Sequence, residues 1–270
     1  MSSFQGLQGV VLIDILTFLF AFIILLLFID IPEELPKDND KKLKLLLGCK
    51  EGMSFLHNHK GIWYLVISMA FLNFFSRLTY ENILYPMILA RSGGNNEVLG
   101  IVSGVLGAGG IAGGLIVSLK KLSGNNLKLI YFSAAFSFLF GDLLMGLGHN
   151  TILWIIAALA ASIPISFIGA GQNVIMYRAI PKELQGRVFA VKNAIQYCTI
   201  PAGILLGGFL ADYVFGPFMG SENVLAIFLR RIVGADTGSG MAVMFLCTGI
   251  LGFITSILWY YNKNIQELQK

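Results

Sequence analysis

Seven apolar runs divide the chain: residues 10–31, 61–89, 98–119, 127–147, 152–177, 188–213 and 241–260. A helix crossing the hydrocarbon of a bilayer needs about 20 largely apolar residues, and only structures that satisfy their own backbone polar groups can cross it. The third run is rich in Gly and the sixth begins with Lys192, Asn193 and Gln196. Both remain candidate spans, because small and polar residues are tolerated where neighbouring helices cover them. The pattern predicts an all-α integral membrane protein with seven transmembrane helices. Charged residues make up 13% of the chain and the hydrophobic set 56%. A soluble domain carries about 25% charged residues, so water is the wrong solvent for this sequence.

The loops orient the spans. Those after the first, third, fifth and seventh runs hold Lys37, Lys41, Lys42, Lys44, Lys50 and Lys60, then Lys120, Lys121 and Lys128, then Arg178, Lys182 and Arg187, then Lys263 and Lys270. The opposite side holds Arg91, Arg230 and Arg231. The positive-inside rule therefore predicts a multi-pass plasma-membrane protein with its N-terminus outside and its C-terminus in the cytoplasm. The net charge of +4 is spread over these anchors, so it calls for the lipid bilayer and not a nucleic acid as partner. The opening MSSFQGLQG has no positive region and the first run no small-residue cleavage site, so a cleaved signal peptide is not expected.

No cofactor or metal is expected. Cys49, Cys198 and Cys247 are scattered, and the HNH of residues 57–59 has no further ligands beside it. The sequence holds no HExxH, and no Ser or Cys is paired with a base at catalytic spacing. The last run has no lysine for a retinal Schiff base. These absences argue against a membrane enzyme and against a retinal protein.

The third run contains GVLGAGGIAGG, with Gly at 104, 107, 109, 110, 113 and 114. Small residues three and four apart let helix backbones approach closely. Gly104, Gly107, Gly110 and Gly114 are assigned to helix packing, as are Gly203 and Gly207 in the sixth run, with a sliding interface as the alternative. Pro164 and Pro201 lack a backbone donor and are expected to kink their helices.

The stretch NFFSRLTYENILYP places Asn73, Arg77 and Glu81 four residues apart within an apolar run. On a helix they form one stripe about 12 Å long, and such groups must face protein or an aqueous cavity. Two readings stay open: an ion pair that fixes packing against a neighbouring half, or Glu81 as a carboxylate where protons and cationic substrate compete. Asp142, in FGDLLMG, is a second intramembrane acid near the outer end of its span, suited to coupling or to bonding a neighbouring helix. Asp14 reads as an interface contact. Gln172, Asn173, Arg178, Lys192, Asn193 and Gln196 form a polar zone at the inner ends of two spans, for loop anchoring or for lining an inner vestibule. Lys192 is expected to reach toward the cytoplasmic face. Phe71, Phe74, Phe75, Tyr80 and Tyr85 are candidate walls for a bulky lipophilic compound.

The stretch IPKELQGRVFAVKNAI, residues 180–195, resembles the cytoplasmic link between the tenth and eleventh helices of major facilitator superfamily transporters, in the branch of macrolide-efflux-like drug exporters. Pro181, Glu183, Gly186, Arg187 and Val188 carry the match, and PAGILLGGFLADYVFGPFM, with Gly203, Gly207 and Asp212, resembles the eleventh helix and its exit. The resemblance covers the back of a twelve-helix pattern built from two halves, family helices six to twelve. It implies that residues 1–31 are the last helix of the N-terminal half and 32–60 a basic cytoplasmic linker. Residues 61–260 are then the C-terminal six-helix domain, with an outer loop at 214–240, and 261–270 a cytoplasmic tail. GGLIVSLKKLSG echoes the family's glycine-and-basic loop through Gly114, Lys120 and Lys121, with Ser118 where an acid is usual. The resemblance implies efflux of lipophilic drugs such as macrolides by proton antiport with alternating access. The driving force is then the proton gradient, and the missing N-terminal half is needed in cis or in trans. The alternative is a truncated, non-transporting membrane fragment or partner subunit.

Overall fold

A computed structural model describes residues 15–25, 41–119 and 124–269. Among them all regular structure is helical. The chain divides into two compact units, Met1–Lys44 and Leu45–Lys270. Within the first, α1 (Ile15–Leu25) is apolar, and Phe18 stacks on Phe22 one turn later, ring centres 6.2 Å apart. The rest of the expected first span, with Asp14, lies outside the described residues, as do Lys37, Lys120, Lys121 and Lys270.

The second unit holds the long apolar helices. Among the described residues, six helical stretches are long and apolar enough to cross a membrane: Lys60–Arg91, Asn96–Leu119, Asn126–Leu147, Thr151–Ala179, Lys182–Gly220 and Ser239–Tyr260. They correspond in order to the second through seventh apolar runs. The helix α2 (Lys41–Asn58) precedes them. The first stretch is α3 (Lys60–Thr79) and α4 (Leu84–Arg91), separated by a turn at residues 80–83. Pro86 explains the interruption, since it has no N–H to donate to the carbonyl one turn back. The next stretch is α5 (Asn96–Leu119). After it α6 (Asn126–Phe136) passes through a π-helical turn, Ser137–Asp142, into α7 (Leu143–Leu147). The long α8 (Thr151–Ala179) runs unbroken through Pro164.

The fifth stretch starts earlier than its apolar run. It comprises α9 (Lys182–Tyr197), α10 (Thr199–Phe209), a second π turn at Leu210–Phe215, and α11 (Gly216–Gly220). Pro201 in the first turn of α10 again accounts for the interruption at Cys198. The expected outer loop, 214–240, is mostly helical, because α11 is followed by α12 (Val224–Val233). The last span is α13 (Ser239–Tyr260), and α14 (Lys263–Gln266) follows it. Asparagines start several helices: the side chains of Asn125, Asn150 and Asn223 accept from the backbone N–H groups of Lys128, Leu153 and Leu225 at 2.8, 2.8 and 2.9 Å, satisfying donors the helix leaves unpaired.

Glycines set the closest approaches, on a different face from the one expected. An added Cβ at Gly104, Gly107, Gly110 or Gly114 meets nothing within 4 Å. The contact between α5 and α8 is made through Gly109, beneath the Ser162 side chain, and Gly113, where a Cβ would stand 2.5 Å from the carbonyl oxygen of Ile163. Gly109 and Gly113 are four apart and share a face, about 100° from the neighbouring stripe. Gly203 and Gly207 do lie against a neighbour: a Cβ on Gly203 would come within 2.8 Å of Arg77 Cβ, and Gly207 sits beneath the backbone of Leu78, so α10 rests on α3.

Two apolar cores result. One surrounds Leu65, Ile130, Tyr131 and Met176, where Ser68 and Tyr131 share a 2.6 Å hydrogen bond between α3 and α6. The other surrounds Met87, Met145, Trp154 and Phe245. Beside the second core, the side chain of Arg91 at the end of α4 is 1% exposed and ties three segments together. It donates to the carbonyls of Gly146 and Gly148 at 2.8 and 2.9 Å, to Asp236 at 3.1 Å, to His149 Nε2 at 3.0 Å and to the Val233 carbonyl. Gly234, at φ +87°, ends α12 there.

Candidate functional site, a polar cavity between the helices

Where the two cores meet, the helices leave a cavity of about 460 Å³. Its apolar wall includes Met69 and Leu72 from α3, Leu106 from α5, and Ile165 and Ile168 from α8. Its polar wall is assembled from separate elements. Helix α3 supplies Asn73 and Arg77, and Tyr80 follows from the turn. Asp142 comes from the π turn, Gln172 and Asn173 from α8, and Lys192 and Gln196 from α9.

Asp142 is 1% exposed. The π turn that carries it adds a residue to the helical turn and so shifts its register, a distortion common at functional sites. Each carboxylate oxygen has a donor: the Tyr80 hydroxyl donates a hydrogen bond to Oδ1 at 3.0 Å and the Thr248 hydroxyl of α13 donates one to Oδ2 at 2.9 Å. Gly249 makes room, since a Cβ there would stand 3.1 Å from Asp142 Cβ.

Across the wall the donors lack acceptors. Gln172 Nε2, Gln196 Nε2 and Arg77 Nε are buried with no hydrogen-bond partner. Lys192 is 8% exposed and has no carboxylate partner among the described residues; its ammonium stands 5.5 Å from the centre of the Phe189 ring. Because α9 begins at Lys182, Lys192 lies ten residues, about 15 Å, inside the helix, and its aromatic contact is one turn back on the same helix.

The stripe on α3 divides. Asn73 and Arg77 line the cavity, whereas Glu81 sits outside the lining, ion-paired with Arg77, their side chains 38% and 32% exposed. The acid on the cavity wall is therefore Asp142. Of the inner residues, Asn173 lines the cavity while Arg178, Glu183 and Gly186 are exposed and away from it. Arg187 pairs with Glu51 of α2, and Gly52 of α2 packs so closely that a Cβ there would stand 2.7 Å from the Arg187 carbonyl. The segment carrying the loop resemblance thus ties α2 to α9. Of the aromatic candidates Tyr80 is on the wall, joined by Tyr197, and Phe71, Phe74, Phe75 and Tyr85 are not. Sequence reasoning passed over Thr248 and Arg91 as functional groups. Thr248 carried no signal, while Arg91 was visible as one of few basic residues on its side of the membrane. Among the described residues no three His, Cys, Asp or Glu side chains come together as a metal set.

A family model described as Major Facilitator Superfamily matches residues 1–204. The chain is 24% identical over 221 residues to Macrolide efflux protein A of Streptococcus pyogenes, a match covering 78% of this chain and 52% of that protein. It is also 24% identical over 178 residues to the Uncharacterized MFS-type transporter YvqJ of Bacillus subtilis, covering 66% of this chain and 40% of that protein. The chain spans about half the length of the curated relatives it matches. No solved structure matches it.

Proposed function

Because this chain belongs to the Major Facilitator Superfamily, we propose that it forms the C-terminal part of a carrier that exports lipophilic compounds, such as macrolides, in exchange for protons. Its activity is movement of a solute across the membrane, with no reaction at a catalytic residue. On this reading the six spans of the second unit are family helices seven to twelve, and residues 1–31 belong to helix six. Residues 32–60 are then the cytoplasmic linker, the N-terminus is outside and the C-terminus is in the cytoplasm. Alternating access moves the two halves about a site at mid-membrane, and the cavity supplies one wall of that site.

The observation that carries the reading is Asp142: a carboxylate buried among helices, on the wall of a cavity, with its two oxygens held by hydroxyl donors from two other segments. A carboxylate at membrane depth is expensive to maintain, and such residues mark ion and proton paths. Tyr80 and Thr248 hold it in place, so gain or loss of its proton is felt both in the turn between α3 and α4 and in α13. Glu81, paired with Arg77, is assigned the supporting role of neutralising that arginine.

The test uses inverted membrane vesicles containing this chain with its complementary half, loaded with a fluorescent lipophilic substrate. Asp142→Asn is expected to abolish accumulation driven by a pH gradient while leaving downhill exchange intact. Gradient-driven accumulation at the unmutated rate would refute the coupling role of Asp142. Glu81→Gln is expected to weaken accumulation without removing its dependence on the gradient.

A second reading, a membrane subunit that does not transport alone, is favoured by the Arg77–Glu81 pair, about a third exposed at mid-span, since charged groups within the hydrocarbon are covered by protein or water. Substrate-dependent efflux by the 270-residue chain without a partner would exclude it.

A further inference from the structure

Two buried amide donors and one ammonium on the cavity wall are left without a protein hydrogen-bond partner among the described residues. Asp142, the acid on the wall, already accepts from Tyr80 and Thr248, and the charge of Arg77 is balanced by Glu81. What remains is Gln172 Nε2 on α8 and Gln196 Nε2 on α9, both without partners in side chains 6% and 5% exposed, beside Lys192 with its unbalanced charge. Buried polar groups in proteins are nearly always satisfied, and those left over call for a partner. Here the two amides and the ammonium, on α8 and α9, all line the same cavity, and a ligand group bearing two or three acceptor oxygens is the kind that pairs with such a set.

Resting on the reading of this cavity as the substrate site, we propose that it binds amphipathic organic acids. The carboxylate sits among Lys192, Gln172 and Gln196, and the apolar body lies along Met69, Leu72, Ile165 and Ile168. A carboxylate has no N–H of its own and offers two oxygens with several acceptor positions, which matches a set of donors. An amine offers this set only further donors and brings positive charge to Lys192; the acceptor it would find on the wall is Asp142, which already holds two hydroxyls. The volume of about 460 Å³ falls in the range of about 300–1,000 Å³ usual for small-molecule sites. The proposal keeps the lipophilic body of the preceding reading's substrates and gives it an acidic head, so macrolides that carry a basic amine are not among the ligands it predicts.

The experiment is equilibrium binding to the purified 270-residue chain in detergent, followed by the fluorescence of three probes that differ only at one end: dansyl-aminoundecanoic acid, its methyl ester, and the matched dansyl-alkylamine. The acid is expected to bind at least about tenfold more tightly than the ester or the amine, the scale of one charged hydrogen bond. Lys192→Met is expected to erase that preference and Lys192→Arg to retain most of it. Gln196→Leu should weaken the acid severalfold and leave the ester unchanged. Equal binding of acid and ester, tighter binding of the amine, or an acid preference that survives Lys192→Met would each overturn the proposal. Should Lys192→Met fail to fold, the three probes on the unmutated chain decide the matter. Binding needs neither a proton gradient nor a second half. A chain that selects the acid and never transports leaves this inference standing and removes the transport reading, and a coupled transporter that selects the amine does the reverse.

Discussion

Removing the Arg91 guanidinium should be the most damaging single truncation at the end of the helical unit that carries α4, α7 and α12. Five groups accept from it: the carbonyls of Gly146, Gly148 and Val233, His149 Nε2 and Asp236 Oδ2. They belong to two separate segments, so the side chain, 1% exposed, is their common centre. Each hydrogen bond to a charged group contributes about 1.5–3 kcal/mol, and part of the total is offset by the cost of taking the guanidinium out of water. Breaking a buried charged pair from one side costs about 3–5 kcal/mol, and that figure applies to Arg91→Ala. For a unit of this size each kcal/mol moves the melting temperature by about 2–4 °C, so Arg91→Ala should lower it by about 10 °C in scanning fluorimetry of the detergent-solubilised chain. Arg91→Lys should recover less than half, because one ammonium with three donors does not span five acceptors. Asp236, 33% exposed, is partly hydrated, and Asp236→Ala should cost about 1 kcal/mol. A melting temperature for Arg91→Ala within 2 °C of the unmutated chain, or full rescue by lysine, would refute the assignment of Arg91 as the centre of this cluster.

Four further outcomes are expected. Gly113→Leu drives a side chain into the Ile163 carbonyl and should lower the melting temperature by the equivalent of about 1–3 kcal/mol. Gly110→Leu, on the open face, should leave the melting temperature of the chain alone unchanged and weaken co-purification with a complementary half. Gln172→Leu removes an unpaired buried amide and should stabilise the chain by about 1–2 kcal/mol while lowering substrate binding measured by fluorescence titration. Arg187→Ala breaks only a pair whose two side chains are each 51% exposed, so thermal scans should show a change below about 1 kcal/mol, smaller still at high salt.

What the sequence made legible was whatever lipid imposes over a long stretch. Hydrocarbon requires about 20 apolar residues per span, and the second through seventh runs each coincide with an observed helical stretch. The internal breaks follow from Pro86 and Pro201, whose missing N–H groups act over one turn. Facing was not legible. Six glycines within residues 104–114 put small residues on nearly every side of α5, and only the position of Ser162 and Ile163 on α8 selects Gly109 and Gly113. The cavity was legible in its members and not in its arrangement. Asp142 meets Tyr80 across 62 residues and Thr248 across 106, separations that no local spacing records. The four-residue step from Arg77 to Glu81 is local, and that ion pair is present; which side of it faces the cavity depends on how α3 is rotated against α8 and α9.

On the two-half reading, three local features mark where a second wall would sit. The spans Asn96–Leu119 and Lys182–Gly220 have 17% of their apolar windows buried, against 33–50% for the other four. Both contribute to the cavity, the first through Leu106 and the second through Lys192, Gln196 and Tyr197. The Arg77–Glu81 pair, a third exposed, stands against Gly203 of the second of these spans. Lipid can cover sparse apolar helices at no cost, so low burial alone asks for nothing. It cannot cover an ion pair or a polar cavity without a penalty of about 2.5–3.5 kcal/mol per charged group at mid-membrane. The polar groups therefore decide between lipid and protein as the cover. On the two-half reading, one apposed surface shields the pair, closes the cavity and gives the proton-coupled acid an access that alternates between the two sides of the membrane.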